Sequence, residues 1–269
     1  DPLYVIDGVV RSSVDFRNLS PDDIESMSIL KDASATAVYG SRASNGIVQV
    51  VTKRGKSGKV SIDYDFNMSF SQPSIWPEKM HSYERAEWAN VAKNNDLMNG
   101  QESPVYSAEA IQKMRDGSDP LNFGDTNWRK LVLRDWAPQS KHTVRLTGGN
   151  DVHQFYMSVG HIDQNSLYRS DNHWMKRTTF RLAESATIKA LGLQVNAALD
   201  GYRQHQEHPY TSTSNSYYHV FSHINNQSPM RPGVNSLGLP YNVTDNPVAE
   251  TAADAGYQRS IANVINGKG

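Results

Sequence analysis

The sequence contains no cysteine, which excludes a disulfide framework and any chemistry that depends on a thiol. It also contains no run of about 18 apolar residues, so it predicts no transmembrane helix. The formal net charge at pH 7 is −1, and a nucleic-acid partner would normally require a basic face. These absences leave a polar protein without disulfides, without a spanning helix and without a nucleic-acid partner.

The catalytic motifs are absent as well. The sequence contains no Gly-x-Ser-x-Gly motif and no pair of acidic residues at a spacing typical of a catalytic site. It therefore predicts no enzyme and no cofactor. His205 and His208 could ligate a metal ion, but no third ligand accompanies them, and we therefore predict no metal site.

The first 57 residues consist of short segments separated by turn and cap signals. Residues 3–6 are apolar and stop at Asp7-Gly8, as expected for a strand followed by a turn. Ser20-Pro21 has the residue types that favour a helix start. Strands are predicted for residues 3–6, 24–30 and 46–52, and a short Ala-rich helix for residues 32–39. This region is predicted to be a small α+β domain.

Long alternating strands follow. Residues 60–71 read VSIDYDFNMSFS, in which every second residue is apolar, so the strand has one apolar and one polar face. Its length is about twice the usual 5–6 residues of a strand. Further strands are predicted for residues 141–147, 152–162, 176–182, 193–202 and 257–265.

The connections between these strands are unequal. Residues 148–151 and 190–192 are short turns, whereas residues 72–140 and 204–256 are long, and two helices are predicted within the first long connection (residues 83–98 and 108–115). Strands with one apolar face, short turns at one end and long loops at the other are typical of an outer-membrane β-barrel. A soluble β-rich carbohydrate-binding module remains the alternative, with loop aromatics stacking on sugar rings. Its aromatics would be Trp76, Trp128, Trp136, Tyr168 and Trp174.

A family resemblance is carried by PLYVIDGV (residues 2–9) and by LSPDDIESMSILKDASATAVYGSRASNGIVQVVTKRGKSGK (residues 19–59). Both segments resemble the latter half of the plug domain of SusC/RagA-type TonB-dependent transporters. The stretch FYMSVGHIDQNSLYRSDNHWMKRTTFRL (residues 155–182) resembles the first barrel hairpins of the same family.

The resemblance implies energy-coupled import of bulky nutrients, either oligosaccharides or peptides, across the outer membrane of a Gram-negative cell. The implied partners are the TonB complex, a SusD-type surface lipoprotein acting as a lid, and outer-membrane lipid. Residues 1–57 would be the C-terminal half of the plug. Residues 58–269 would be about the first six strands of a barrel that closes with about 22.

Because six strands cannot enclose a plug, we expect an open antiparallel wall. Its first and last strands would pair outward with strands that this sequence does not contain. The resemblance places Arg11 and Phe16 in a plug loop near the substrate cavity. Tyr168 and Trp174, two of the loop aromatics, are the other candidate substrate contacts.

Overall fold

The computed structural model of the chain describes residues 2–31, 37–97, 103–210, 216–241, 245–252, 255 and 257–268. The described strands form two sheets, one of four strands and one of six. We call them the small sheet and the long sheet. This is the predicted architecture, an α+β unit followed by an antiparallel wall.

The small sheet has the strand order β2-β1-β4-β3. Strands β1 and β4 are parallel, whereas β1–β2 and β3–β4 are antiparallel. The turn between β1 and β2 is Asp7-Gly8, with φ angles of 49° and 82°, and Asp-Gly is a favoured pair for such left-handed hairpin turns. The bounds are β1 Leu3–Ile6, β2 Val9–Arg11, β3 Ile24–Leu30 and β4 Ile47–Thr52.

Two short elements of the small sheet were not predicted, β2 and the helix α1 (Ser13–Asn18). The helix begins at a reciprocal cap in which the Ser12 hydroxyl accepts from the Asp15 backbone N–H and Asp15 accepts from the Ser12 backbone N–H. The helix start predicted at Ser20 is confirmed, with Ser20 at the N-cap and Pro21 in the first turn. Only a single 3₁₀ turn forms at Pro21–Asp23, because β3 begins at Ile24.

The helix predicted for residues 32–39 lies mostly outside the described residues. What the structure describes there is a 3₁₀ segment, Ala37–Ala43, interrupted at Gly40, whose φ of 63° is left-handed.

The long sheet has the order β10-β9-β8-β7-β6-β5, and each strand pairs antiparallel with the next along the chain. Within the described residues, β5 and β10 each pair on one side only, and they do not pair with each other. The sheet is therefore open. The bounds are β5 Gly58–Ser71, β6 Ala137–Gly149, β7 His153–Asn165, β8 Trp174–Ile188, β9 Leu193–Pro209 and β10 Tyr257–Lys268.

All six predicted strands are present, but they extend beyond their predicted bounds. The connection predicted to begin at residue 204 begins only after Pro209, since β9 continues to pair with β10 up to Tyr257. Likewise β6 starts at Ala137 and not at residue 141. Backbone pairing continues into the polar ends of the strands, where apolar alternation gives no signal.

The two faces of the long sheet have opposite polarity. Ile62 and Phe66 on β5 are 72% and 55% exposed. On the other face, toward the small sheet, Thr143, Ser158 and Arg181 are buried. The apolar face therefore points outward and the polar face points inward.

The connections carry the remaining helices. The segment between β5 and β6 contains both predicted helices, each within a residue of its predicted bounds, and one short helix that was not predicted. Two more unpredicted helices lie between β9 and β10. Among the described residues, no helix combines the length and apolar character that a membrane crossing requires. The bounds are α2 Ser82–Leu97, α3 Ala108–Asp116, α4 Trp128–Val132, α5 Ser216–Asn226 and α6 Pro247–Thr251.

Candidate functional site: the interface of the two sheets and the loop cavities

A buried ion pair joins the small sheet to the long sheet. Arg181 on β8 lies with its Nη2 3.3 Å from Asp7 Oδ2, and the two side chains are only 2% and 7% exposed. Thr52 fixes the carboxylate, because its backbone N–H donates to Asp7 Oδ1 at 2.8 Å and its hydroxyl donates to Oδ2 at 2.5 Å. Arg181 also donates to the Thr52 hydroxyl. A charge buried in this way is stable only while its partner is in place.

The same arginine extends the network to Arg11. Arg181 Nη1 lies 3.5 Å from Asp200 Oδ1 on β9, and Arg11 Nη2 lies 3.9 Å from the same oxygen. Asp200 also accepts from the Asn266 amide at 3.1 Å. Arg11, at the end of β2, is therefore held between the two sheets by an opposite charge.

A second set of contacts surrounds Asp22 and Asp23 at the 3₁₀ turn. Lys141 Nζ lies 2.6 Å from Asp22 Oδ2, and the Thr143 hydroxyl donates to the same oxygen at 2.9 Å. Asp23 is buried and accepts from two hydroxyls of the long sheet. The donors are Tyr156, at 2.8 Å, and Ser158, at 2.6 Å.

Two carboxyl groups of the small sheet have lowered pKa values. Burial alone would raise the pKa of Asp7, but the hydrogen bonds from Thr52 and the positive charges of Arg181 and Arg54 hold it below the usual value. Burial also works against ionisation of Asp22, yet Lys141 and Thr143 lower its pKa. Both groups are therefore anions at neutral pH.

The structure divides the four predicted substrate contacts into two pairs. Arg11 ends β2 and Phe16 lies on α1, where its ring stacks on Tyr4 of β1 with centroids 4.8 Å apart. Tyr168 lies in the connection between β7 and β8, and Trp174 is the first residue of β8. Trp174 precedes Arg181, which shares Asp200 with Arg11, by seven residues on β8, a length of about 23 Å at about 3.3 Å per residue.

Tyr168 and Trp174 both line a cavity of about 530 Å³ at the loop end of the long sheet. Tyr168 has no exposed surface and packs in the core of the loops with Trp128 and Val220. Trp174 is half-buried. Its ring packs in a T-shaped arrangement with the His205 ring, with the two ring centroids 5.1 Å apart. Trp174 is therefore the accessible member of this pair.

A larger cavity, of about 880 Å³, lies between α2, α4 and α5. One wall is the Trp76 ring, with the Arg129 guanidinium 5.2 Å from its centroid. Another wall is His81, whose Nδ1 lies 2.5 Å from Asp125 Oδ2, and this carboxylate raises the pKa of the His81 imidazole. The cavity thus offers an aromatic face and charges of both signs, a combination that the sequence analysis did not assemble.

The histidine pair considered from the sequence does not form one site. His205 and His208 are three residues apart on β9, so their side chains leave the strand on opposite faces. The structure instead brings His219, His223 and Glu250 together, with ligand atoms within 4.8 Å of one another. The sequence signal for this cluster was the spacing of four residues between the histidines, which places them on one face of a helix.

Comparisons with known proteins agree with these observations. The family model of the TonB-dependent Receptor Plug Domain matches residues 1–47. The TonB-dependent receptor SusC of Bacteroides thetaiotaomicron is 32% identical over 207 residues, which are 73% of this chain and 18% of the relative. The TonB-dependent receptor P26 of Formosa agariphila is 29% identical over 202 residues, 73% of this chain and 19% of that relative.

Solved structures give the same result. The RagAB peptide importer in its "open-open" state matches with a TM-score of 0.58 and 28% identity, covering 76% of this chain and 24% of that chain. The "closed-closed" state covers 90% of this chain and 28% of that chain with a TM-score of 0.63, and its 24% identity supports the fold alone. The chain therefore spans about a fifth of the length of the curated relatives it matches.

Proposed function

This chain belongs to the SusC/RagA type of TonB-dependent receptors, and from that premise we propose that its receptor imports bulky nutrients across the outer membrane of a Gram-negative cell. Import is coupled to energy through the TonB complex. The chain contributes a part of the plug and a part of the barrel wall.

One observation carries this proposal, the outward apolar face of the long sheet. Phe66 and Phe70 are 55% and 58% exposed on the face away from the small sheet. Exposed apolar patches of this extent are rare on soluble proteins, whereas a barrel places such a band against lipid. The same observation disfavours the soluble carbohydrate-binding module, which would bury that face in its own core.

The mechanism is a conformational step and involves no bond chemistry. The small sheet rests against the wall through buried polar contacts, chiefly Asp7–Arg181 and Asp23–Tyr156. A pull on the plug must separate these partners before a passage opens. Because buried charges without a partner are costly, the contacts oppose opening in the absence of TonB.

The substrate class that we propose is peptides, with oligosaccharides as the alternative. The RagAB neighbours are a peptide importer, and the larger cavity combines the Trp76 ring with cationic and anionic groups that match the charged side chains and termini of peptides. Arg11, Phe16 and Trp174 are the proposed contacts. Tyr168 supports from within the wall of the smaller cavity, which Trp174 also lines.

A SusD-type lipoprotein is proposed as the lid. The long connections, residues 72–136 and 210–256, leave the same end of the long sheet and would face outside, where a lid can rest on them. Protease added to intact cells should then cut the long connections and spare the turns at residues 150–152 and 189–192. Cleavage confined to the turns would show that the turns, and not the long connections, face outside.

Uptake tests the function directly. Cells that depend on this receptor for a labelled oligopeptide mixture should lose uptake when the receptor or TonB is deleted, and a labelled oligosaccharide mixture tests the alternative class. The receptor should also require detergent for extraction. Release into buffer without detergent would contradict the proposal.

The contact residues require a separate test. The double variant Arg11→Ala, Phe16→Ala should weaken substrate binding while the receptor remains in the membrane at its normal level. Leu121→Ala, an exposed loop position, serves as the control. Unchanged affinity in the double variant would remove Arg11 and Phe16 from the site and leave the import proposal intact.

A further inference from the structure

A cluster of metal-ligating side chains lies in the connection between β9 and β10, away from the interface of the two sheets. His219 and His223 lie on α5, one helical turn apart, with ring centroids at 4.1 Å. Glu250 on α6 approaches from the neighbouring helix, with Oε1 2.7 Å from His223 Nδ1. One donor atom from each side chain lies within 4.8 Å of the other two.

Two donor atoms in this cluster are buried without a hydrogen-bond partner among the described residues, His219 Nδ1 and Glu250 Oε2. Buried polar atoms are nearly always paired, and an unpaired one requires an explanation, an unfilled ion site being one. The side chains of His223 and Glu250 are 12% and 21% exposed, so the cluster is shielded but still reachable from solvent.

The helix that carries the histidines is held firmly. Val220 and Ile224 each follow one of the histidines in the sequence, and both are buried in the core of the loops with Trp128 and Tyr168. The cap at Asn246 fixes the start of α6, because its side chain accepts from the Val248 backbone N–H at 3.0 Å. The donor atoms are therefore presented by two packed helices.

We propose that His219, His223 and Glu250 bind a divalent transition-metal ion of the Zn²⁺ class. Two imidazole nitrogens and one carboxylate oxygen are a common zinc donor set, with a fourth position left to water. Binding through His223 Nδ1 points its Nε2–H toward the carboxylate of Asp245, whose Oδ1 lies 3.8 Å away. A carboxylate hydrogen-bonded to that nitrogen orients a metal-bound imidazole and strengthens it as a ligand, so Asp245 has to close this gap to take that role.

The metal takes the place of the hydrogen bond between His223 Nδ1 and Glu250 Oε1, and any proton held there leaves to solvent. Bonds of about 2.0–2.2 Å in a tetrahedral arrangement place ligand atoms about 3.3–3.5 Å apart. The pair at 2.7 Å must therefore open by less than about 1 Å, which side-chain rotation allows. The bound ion would link α5 to α6 and thereby hold one wall of the larger cavity, which α5 also lines.

The test uses the intact receptor, purified in detergent with an affinity tag that contains no histidine. Zn²⁺ affinity is measured by calorimetry, and Co²⁺ serves as a probe of tetrahedral geometry through its visible absorption. The variants are His219→Gln and Glu250→Gln, with Asp245→Asn for the orienting carboxylate. The matched control is His153→Gln, because His153 lies 3.5 Å from Glu184 as a histidine–carboxylate pair in the long sheet.

We expect His219→Gln and Glu250→Gln to weaken Zn²⁺ binding by more than about 100-fold, because even the loss of an orienting partner costs about 10–100-fold. Asp245→Asn should weaken Zn²⁺ binding by about 10–100-fold. His153→Gln should bind Zn²⁺ with the same affinity as the parent. Circular dichroism without metal establishes that each variant is folded. Equal affinity in the parent and in His219→Gln, or an equal loss in His153→Gln, would overturn the proposal. The cluster would then be only the hydrogen-bonded pair of His223 and Glu250, with His219 beside it.

Discussion

The two sheets of this chain bury residues of opposite polarity. In the small sheet Val5, Ile47 and Val50 have no exposed surface. In the long sheet Ile62 and Phe66 are exposed, whereas Thr143, Ser158 and Arg181 on the other face are buried. The surrounding medium decides which kind of residue points inward: water around the small sheet, and lipid, as we propose, around the long one.

The largest effect should come from the pair that joins the sheets. Arg181→Met leaves Asp7 buried without its cation, and breaking a buried pair in this way costs about 3–5 kcal/mol. Denaturant unfolding of the receptor measures the loss. Adding Asp7→Asn to the same variant should recover part of the stability, because it removes the uncompensated charge.

Arg145→Met is the matched control for this variant. Arg145 pairs with Asp65, which is 58% exposed, and exposed pairs contribute at most about 1 kcal/mol. If Arg181→Met costs no more than Arg145→Met, the Asp7–Arg181 pair does not hold the two sheets together.

The next largest effect concerns the outward face of β5. Phe66→Arg places a charge against lipid and should destabilise the receptor by about 2–4 kcal/mol near the middle of the bilayer. Asn67→Arg, one residue further, places the same charge on the polar face and should cost little. Unfolding from lipid vesicles compares the two variants. A larger cost for Asn67→Arg would reverse the assignment of the faces.

A smaller effect is expected within the small sheet. Ser12→Ala removes the cap of α1 and should destabilise that helix by about 1 kcal/mol. Amide hydrogen exchange at Phe16, whose N–H donates to the Ser12 carbonyl, reports the local opening. Ser13→Ala, inside the helix, is the control and should leave exchange unchanged or slower.

The smallest expected effect is the pH dependence of the stability that the ionised Asp7 contributes. Because its pKa is lowered in the folded protein, the ionised form contributes stability above the ordinary value of 3.8, and this contribution disappears as the pH falls through the lowered pKa. The difference in unfolding free energy between the parent and Asp7→Asn should be constant from about pH 5 to 8 and shrink below about pH 4. A difference that grows on acidification would contradict the sign of the shift.

The sequence predicted the six strands of the long sheet and its polarity, and three of the four strands of the small sheet, because period-two alternation and short apolar runs are local properties. It missed α1, since the cap Ser12–Asp15 precedes a helix of only six residues and no apolar repeat follows it. It also underestimated the strand ends, where pairing with a neighbour, as at Pro209 with Tyr257, and not apolar character, continues the ladder.

The site was less accessible to sequence reasoning, because its members are distant in the chain. Asp23 meets Tyr156 across 133 residues, and no local pattern brings the two together. Arg181 is 2% exposed because Asp7 and Thr52 of the small sheet cover it, and no pattern within β8 predicts that contact. The assignment of Arg11, Phe16, Tyr168 and Trp174 to substrate stays a prediction.

The pairing of β1 with β4 also bears on the order in which the molecule folds. Leu3 pairs with Ile47, 44 positions later, whereas β6 and β7 are joined through only three residues, 150–152. Closing the longer loop costs about 2 kcal/mol more chain entropy, since the cost grows with the logarithm of loop length. Contacts between near neighbours form fastest. We therefore expect the hairpins of the wall to form before the small sheet closes, so that the wall provides a template on which the earlier part of the chain completes its fold.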